Sequence, residues 1–326
     1  MKLLKLVPAD TNIKFLRFRL PFFIFSLLMI VGSWVAVLSL GLNYGVDFAG
    51  GQQIRATFTQ SKTAPIPELR TSIAAVEGVS DPIVQRFGEE NEVSIRVKLP
   101  PEAAGNPDFA NQMTSAIVES LETNYDDVQI DGVDSVSGKV AGEFWYDAVW
   151  ALAAAMIAVA LYIWVRFEWQ FGVGALFALF HDVSLTLGMF AVTQLEFSLQ
   201  IIAAILAIIG YSLNDTIVVF DRIRENLKKF RKMPLPELLD LSVNETLART
   251  VMTSLTLIAA LLPLLLFGPA SLFGLVAAIT AGVIIGTYSS VYLASPTLIW
   301  LGVTSNSFIP RETDADRQEK KVLGKA

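Results

Sequence analysis

Four ionisable residues stand in stretches that are otherwise apolar, and they are the groups most able to do chemistry. Asp215 lies in Gly210-Tyr211-Ser212-Leu213-Asn214-Asp215-Thr216-Ile217-Val218-Val219-Phe220. An aspartate in the middle of a membrane-spanning segment costs about 3 kcal/mol on insertion scales, so it turns away from lipid. Burial penalises the ionised form of a carboxyl group, which brings proton exchange within reach near neutral pH. The bland alternative is a static, hydrogen-bonded packing residue. Arg249 opens the next apolar run at a depth similar to that of Asp215. It could approach the carboxylate when that is charged and release it when protonated, or it could simply snorkel to the interface as an anchor. His181 and Asp182 fall near the middle of a third apolar segment. Adjacent residues point about 100° apart on a helix, so the pair does not line one path together. They, with Asn214, read as relay groups or as polar glue between helices.

Other chemistry is excluded by residue type. There is no Cys and only one His, so thiol catalysis, a disulfide and a multi-His metal site are ruled out within the chain. No Gly-x-x-x-x-Gly-Lys-Ser/Thr string exists, so nucleotide use is not expected and the chain does not read as an enzyme. No cofactor is implied beyond a coupling ion, a proton or a sodium ion, since a carboxylate serves either. The net charge of −6 is the wrong sign for a nucleic-acid binder.

The elements that position these residues are membrane spans. Of 326 residues, 53% are hydrophobic and 17% charged, against about 25% charged in soluble proteins. Gaps between charges give six spans, at 20–41, 148–165, 169–193, 198–220, 250–267 and 272–302. The last two share a run of 61 residues, 250–310, free of Asp, Glu, Lys, Arg and His, with Gly268-Pro269 as the turn between them. Lys and Arg cluster in the leader 1–19 (Lys2, Lys5, Lys14, Arg17, Arg19), in the loop 221–249 and in the tail 303–326 (Arg311 to Lys325). The positive-inside rule then places both termini in the cytoplasm. The first span reads as a retained anchor rather than a cleaved signal.

Residues 42–147 form one large domain on the far side, with 7 basic and 17 acidic residues. Ile54, Ala56 and Phe58 alternate with polar residues, as do Val93, Ile95 and Val97, while 82–87 and 128–133 suggest two further strands. Ile66, Leu69, Ile73 and Val76, and then Phe109, Met113, Ile117 and Leu121, recur at helical spacing. The order is βαββαβ, a ferredoxin-like split unit. Its acidity reads either as a solvated surface or as a contact face for exported polypeptide or a partner's domain. Glu196, in the short turn between the third and fourth spans, reads as merely solvated. Gly282 and Gly286 form a Gly-x-x-x-Gly packing face in the sixth span.

Two strings resemble a known family. Gly45-Val46-Asp47-Phe48-Ala49-Gly50-Gly51, just past the first span, resembles a signature of the SecF family. Tyr211 to Asn226 is similar to that family's fourth-span signature, and His181-Asp182-Val183 and Leu247-Ala248-Arg249-Thr250 resemble further family positions. Ala49 departs from the Thr common there. The resemblance, to the SecD/SecF protein-export family of the RND superfamily, covers nearly the whole chain. It implies an α-helical polytopic membrane protein, six helices making half of an RND-like twelve-helix unit with a SecD partner. The implied work is late-stage export of unfolded polypeptide through SecYEG, driven by the proton-motive force in the bacterial inner membrane, with YajC and YidC as further candidate partners. Asp215 would be the proton-responsive carboxylate and Arg249 its partner. Asp47, Phe48, Gly50 and Gly51 would join the outer domain to the membrane, as a hinge or as a tight turn. Two other functions fit the residues: half of an RND-type small-molecule or lipid exporter, and a non-transporting scaffold of the translocon.

Overall fold

The computed structural model describes residues 11–79, 82–98 and 107–304, apart from the side chains of 107 and 108. Lys2, Lys5 and the basic tail from Arg311 to Lys325 lie outside the described residues. A 3-10 turn (Phe15–Phe18) leads into α1 (Arg19–Leu40), β1 (Asn43–Tyr44), α2 (Val46–Ala49), β2 (Gly51–Phe58), α3 (Ile66–Ala74), β3 (Ile83–Phe87) and β4 (Glu89–Val97). Then follow α4 (Pro107–Asn124), β5 (Val128–Val136), α5 (Gly138–Arg166), α6 (Trp169–Thr193), β6 (Glu196–Phe197) and α7 (Leu199–Lys229). The chain continues through α8 (Leu235–Phe267), α9 (Ala270–Ser289), a π-helical segment (Ser290–Ala294) and α10 (Ser295–Trp300).

Among the described residues, six stretches are long and apolar enough to cross a membrane: Phe15–Leu40, Gly138–Arg166, Trp169–Thr193, Leu199–Lys229, Leu235–Phe267 and Ala270–Trp300. Several helices outrun the apolar segments that charge spacing marks. The segment 221–249, expected as a loop, is helical except for 230–234, because α7 runs on to Lys229 and α8 begins at Leu235. Charges mark where lipid ends, and a helix with polar partners can continue past that point. Here Asn226 donates to Ser242 Oγ (3.0 Å) and Glu245 Oε2 (2.7 Å), stitching the two polar extensions together. Likewise α5 starts at Gly138 rather than 148, with Ser137 accepting from Val140 N as its cap (3.3 Å).

The helices are not equivalent. α6 and α7 are more than half buried and form the interior of the bundle, whereas α1, α5 and α8 turn most of their apolar surface outward. Leu38, Val165 and Phe267 are examples of that outward face. α9 fits closely against α7: a Cβ at Gly282 would run into the Ile208 side chain, and one at Gly286 would lie 3.0 Å from Ser212 Cβ. Small residues thus bring these backbones together, as the Gly-x-x-x-Gly spacing suggests.

The second core belongs to the segment 51–136. Its order is βαββαβ, and its four antiparallel strands lie in the order β3-β4-β2-β5. Ile54, Ala56, Phe58, Val93 and Ile95 point from the sheet onto Leu69, Ile73, Met113, Ile117 and Leu121 of α3 and α4, all buried. A β-bulge lies between β2 and β5 at Arg55/Ala56.

At the end of the bundle away from the sheet, the segment before α1 is clasped by α8. Asn244 Oδ1 accepts from Ile13 N (2.9 Å) while Asn244 Nδ2 donates to Ile13 O (2.8 Å), the pairing that a neighbouring strand would make. Asp240 Oδ1 accepts from Leu16 N (2.9 Å).

Candidate functional site: a buried carboxylate seam and the domain junction

Asp215 sits sixteen residues into α7, and its side chain is buried at 1% exposure. Its Oδ2 has no hydrogen-bond partner among the described residues. The group facing it from α8 is the hydroxyl of Thr253. Arg249 is exposed, and the ion pairs among the described residues do not include Asp215–Arg249. The two residues named as partners are therefore not in contact in this conformation. Thr253 follows Arg249 by four positions, so the two share a stripe of α8 one turn apart. Asn214, next to Asp215 in the chain, is exposed.

A second carboxylate is packed differently. Asp182 on α6 collects donors from three helices. His181 Nδ1 lies 2.9 Å from Oδ1, Ser212 Oγ of α7 donates to Oδ2, and Ser289 Oγ of α9 donates to Oδ2 at 2.9 Å. Both His181 and Asp182 are fully buried. The imidazole packs against Tyr288, with ring centroids 5.9 Å apart, and Tyr288 Oη is hydrogen-bonded to Ser26 Oγ of α1 (2.8 Å). His181 Nε2 has no hydrogen-bond partner among the described residues. The 100° argument from sequence holds for the backbone, but the short aspartate side chain still reaches its neighbour's ring. A parallel hydroxyl line joins Tyr211 Oη to Ser254 Oγ (2.9 Å) and Ser254 Oγ to Thr287 Oγ1 (2.6 Å), across α7, α8 and α9.

The junction string occupies the boundary between the bundle and the sheet domain. β1 pairs in parallel with β6, Asn43 opposite Glu196 and Tyr44 opposite Phe197. Asp47 Oδ2 accepts from Leu199 N (2.8 Å) and so caps α7 from a distant part of the chain. Phe48 lies among Tyr44, Trp145 and Phe197, with ring centroids 5.5–6.2 Å apart. Gly50 (φ +68°) backs onto Gly138 at the start of α5, where a Cβ would lie 3.2 Å from its Cα. Gly51 (φ +114°) could not carry a Cβ at all, since it would run into the Val97 carbonyl of the neighbouring strand.

Glu196 is not the solvated turn residue that its position suggests. It is half-buried, and its Oε2 accepts from Gln53 Nε2 of β2 (2.9 Å). Burial pushes its carboxyl above the usual range; nearby Arg96 and the Gln53 hydrogen bond pull it down, and Asp47 adds to the rise. Arg96, buried on β4, donates to Tyr44 O, to Asn43 Oδ1 (2.6 Å) and to Gln85 Oε1 (3.0 Å). Arg96, Gln53, Ser212 and Ser289 are the site residues that sequence reading misses. Arg96 carried one available signal, a lone arginine in the apolar alternation Val93-Ile95-Val97. The serines carried none.

Known proteins resemble this chain over both the junction and the bundle. The family described as "Protein export membrane protein SecD/SecF, C-terminal" matches residues 116–304, and the "SecD/SecF GG Motif" matches residues 35–62. A relative from Rhodobacter capsulatus, "Protein translocase subunit SecF", is 44% identical over 313 residues, covering 93% of each chain. A protein of the same description from Vibrio alginolyticus is 36% identical over 97% of this chain and 98% of its own. Among solved structures, SecDF from Thermus thermophilus, described as translocon-associated, superposes with a TM-score of 0.79 at 32% identity over 90% of this chain. The chain spans only 39% of that longer SecDF polypeptide. These matches run through both glycine-rich junction and helical bundle, and the chain belongs to the SecD/SecF family of protein-export membrane proteins.

Proposed function

We propose that this chain is the SecF-type half of an ion-driven export machine. It pairs with SecD, adds six helices to SecD's own, and promotes the late passage of unfolded polypeptide through SecYEG in the bacterial inner membrane. YajC and YidC are candidate companions, and lipid is the surrounding solvent. In this reading both termini are cytoplasmic and the sheet domain is periplasmic. The SecF and SecDF relatives support the export role. The observation that carries the coupling step is Asp215, a buried mid-helix carboxylate with one oxygen unpartnered.

The mechanism follows from charge and connectivity. When Asp215 is ionised, it draws Arg249 up the stripe of α8 that Thr253 already presents to it. Protonation removes the charge, releases the arginine and changes how α7 packs on α8. α7 is continuous from Asp215 back to Leu199, about 24 Å along the axis, and Leu199 is the amide that Asp47 caps. A shift of α7 is thereby delivered to the sheet domain without an intervening loop. One charge crossing 100 mV yields about 2.3 kcal/mol, enough to bias a two-state equilibrium roughly fifty-fold but not to unfold a stable domain. The substrate is accordingly a chain that is already unfolded.

The test is Asp215→Asn in inverted membrane vesicles. The expected outcome is loss of the stimulation of export by a proton gradient, with gradient-independent export retained. Stimulation at the wild-type level would overturn the reading. Replacing the proton gradient by a sodium gradient in the same vesicles assigns the ion.

A further inference from the structure

We propose that Asp182, held by His181, Ser212 and Ser289, is a second proton-binding station, coupled to Asp215 through Ser212. The inference rests on the reading of Asp215 as the coupling carboxylate and extends the path one helical turn towards the domain end of the bundle.

Asp182 is surrounded as an anion would be. Three donors converge on it from α6, α7 and α9. The charged residues on these packed elements are few: Asp215 on α7 is the ionisable group beside Ser212, α9 and the middle of α1 contribute hydroxyls (Tyr288, Ser289, Ser26) and no charge, and Arg249 of α8 lies a turn beyond Thr253. An ionised Asp182 beside a neutral imidazole leaves one net charge in the interior, and one added proton cancels it whichever atom of the pair carries it. Two features let that proton come and go. His181 Nε2 is buried without a partner among the described residues, so the ring can gain or lose a proton there while Nδ1 keeps its bond to Asp182. Ser289 Oγ has an alternative acceptor in Gly286 O at 3.1 Å, so neutralising Asp182 does not strand that hydroxyl.

Ser212 links the seam to Asp215. It donates to Asp182 and precedes Asp215 by three positions, which puts both on one face of α7. Two carboxylates so arranged in a low-dielectric interior resist being ionised together. Discharge of one therefore favours charging of the other, which is the requirement for a proton to be handed along. The π-helical segment begins immediately after Ser289, and such segments give a helix local freedom to change register.

His181 is the single histidine in the chain, so 15N-histidine labelling reports on it alone. The experiment records its ring signals across pH 5–9 for the full chain in lipid nanodiscs, as wild type and as Asp215→Asn. The expected result is a pH-dependent change whose profile moves by on the order of one pH unit when the Asp215 charge is removed. Asp215 lies outside the hydrogen bonds of the seam, so this variant leaves the pair's packing intact. Ser212→Ala should shrink the displacement. A merely structural pair gives signals that ignore Asp215. Ring signals constant with pH, or identical profiles in the two proteins, would overturn the proposal. The vesicle assay separates the two ideas: export stimulation lost in Asp215→Asn with an unmoved His181 profile removes the relay alone, whereas stimulation retained removes the coupling reading and the relay with it.

Discussion

Asp47→Ala tests whether the junction string works as a capping device rather than a free hinge. Asp47 Oδ2 accepts from Leu199 N at 2.8 Å, and Leu199 is the first residue of α7. Ser198, at the N-cap position itself, makes no side-chain cap. Loss of a capping side chain costs about 1 kcal/mol. Loss of a negative charge at a helix N-terminus adds about 0.3–1 kcal/mol. The total of about 1–2 kcal/mol raises the opening equilibrium of the junction roughly five- to thirty-fold. Asp47→Asn keeps an acceptor oxygen and gives up only the charge, so its effect is about two- to five-fold. Backbone hydrogen exchange of the full chain in nanodiscs reads this directly, at residues 199–202 and at the β1–β6 pair. The expected order of exchange is Ala fastest, Asn intermediate, wild type slowest, with α6 unchanged. Equal rates in all three proteins would refute the capping argument. So would a uniform acceleration across every span, which would mean that the residue holds the whole bundle rather than this contact.

Two further outcomes follow from the same geometry. Because burial raises the Glu196 carboxyl, the closed junction binds its proton more tightly than an opened one does. Stability from this group is fully present below the ordinary glutamate range and is lost as pH rises through the raised folded-state range. Intrinsic-rate-corrected protection of residues 43–44 and 196–197 should thus increase as pH falls from 7 to 5, and Glu196→Gln should flatten that dependence; an unchanged slope in the variant would assign the effect elsewhere. Gly282→Ala forces a methyl into Ile208, and overpacking of this kind costs about 1–3 kcal/mol. Thermal unfolding in detergent should show that loss, and Ile208→Ala in the same chain should recover part of it. Additive losses in the double variant would show that the two side chains do not meet.

Sequence made the bundle legible where its chemistry is local. α6 spans Trp169–Thr193 as charge spacing expects, since Glu168 stands at its N-cap and its C-cap, Gln194, lies two residues before Glu196. The alternation in β2 and β4 and the two helical stripes gave the order of the small domain, because periodicity reflects which face each residue presents. The lengths of α7 and α8 escaped, since their extensions rest on long-range bonds such as Asn226–Ser242 rather than on hydrophobicity. Within the site, Asp215 and Asp182 stood out because buried carboxylates are rare. Arg96 and Glu196 did not, because their meaning comes from partners distant in the chain, Asn43 for Arg96 and Gln53 for Glu196. Spacing left Arg249 open between anchor and partner, and the family resemblance implied its pairing with Asp215; depth along a helix says nothing about rotamer, and the arginine is exposed here.

The clasp between residues 13–16 and Asn244 and Asp240 has a consequence for biogenesis. α1 leaves the ribosome well before α8, and the side chains that grip its leading segment are made some 230 residues later. During synthesis the amide and carbonyl of Ile13 must therefore be served by water or by another protein. The segment that leads into the first span is therefore fixed only once α8 arrives, long after it is made.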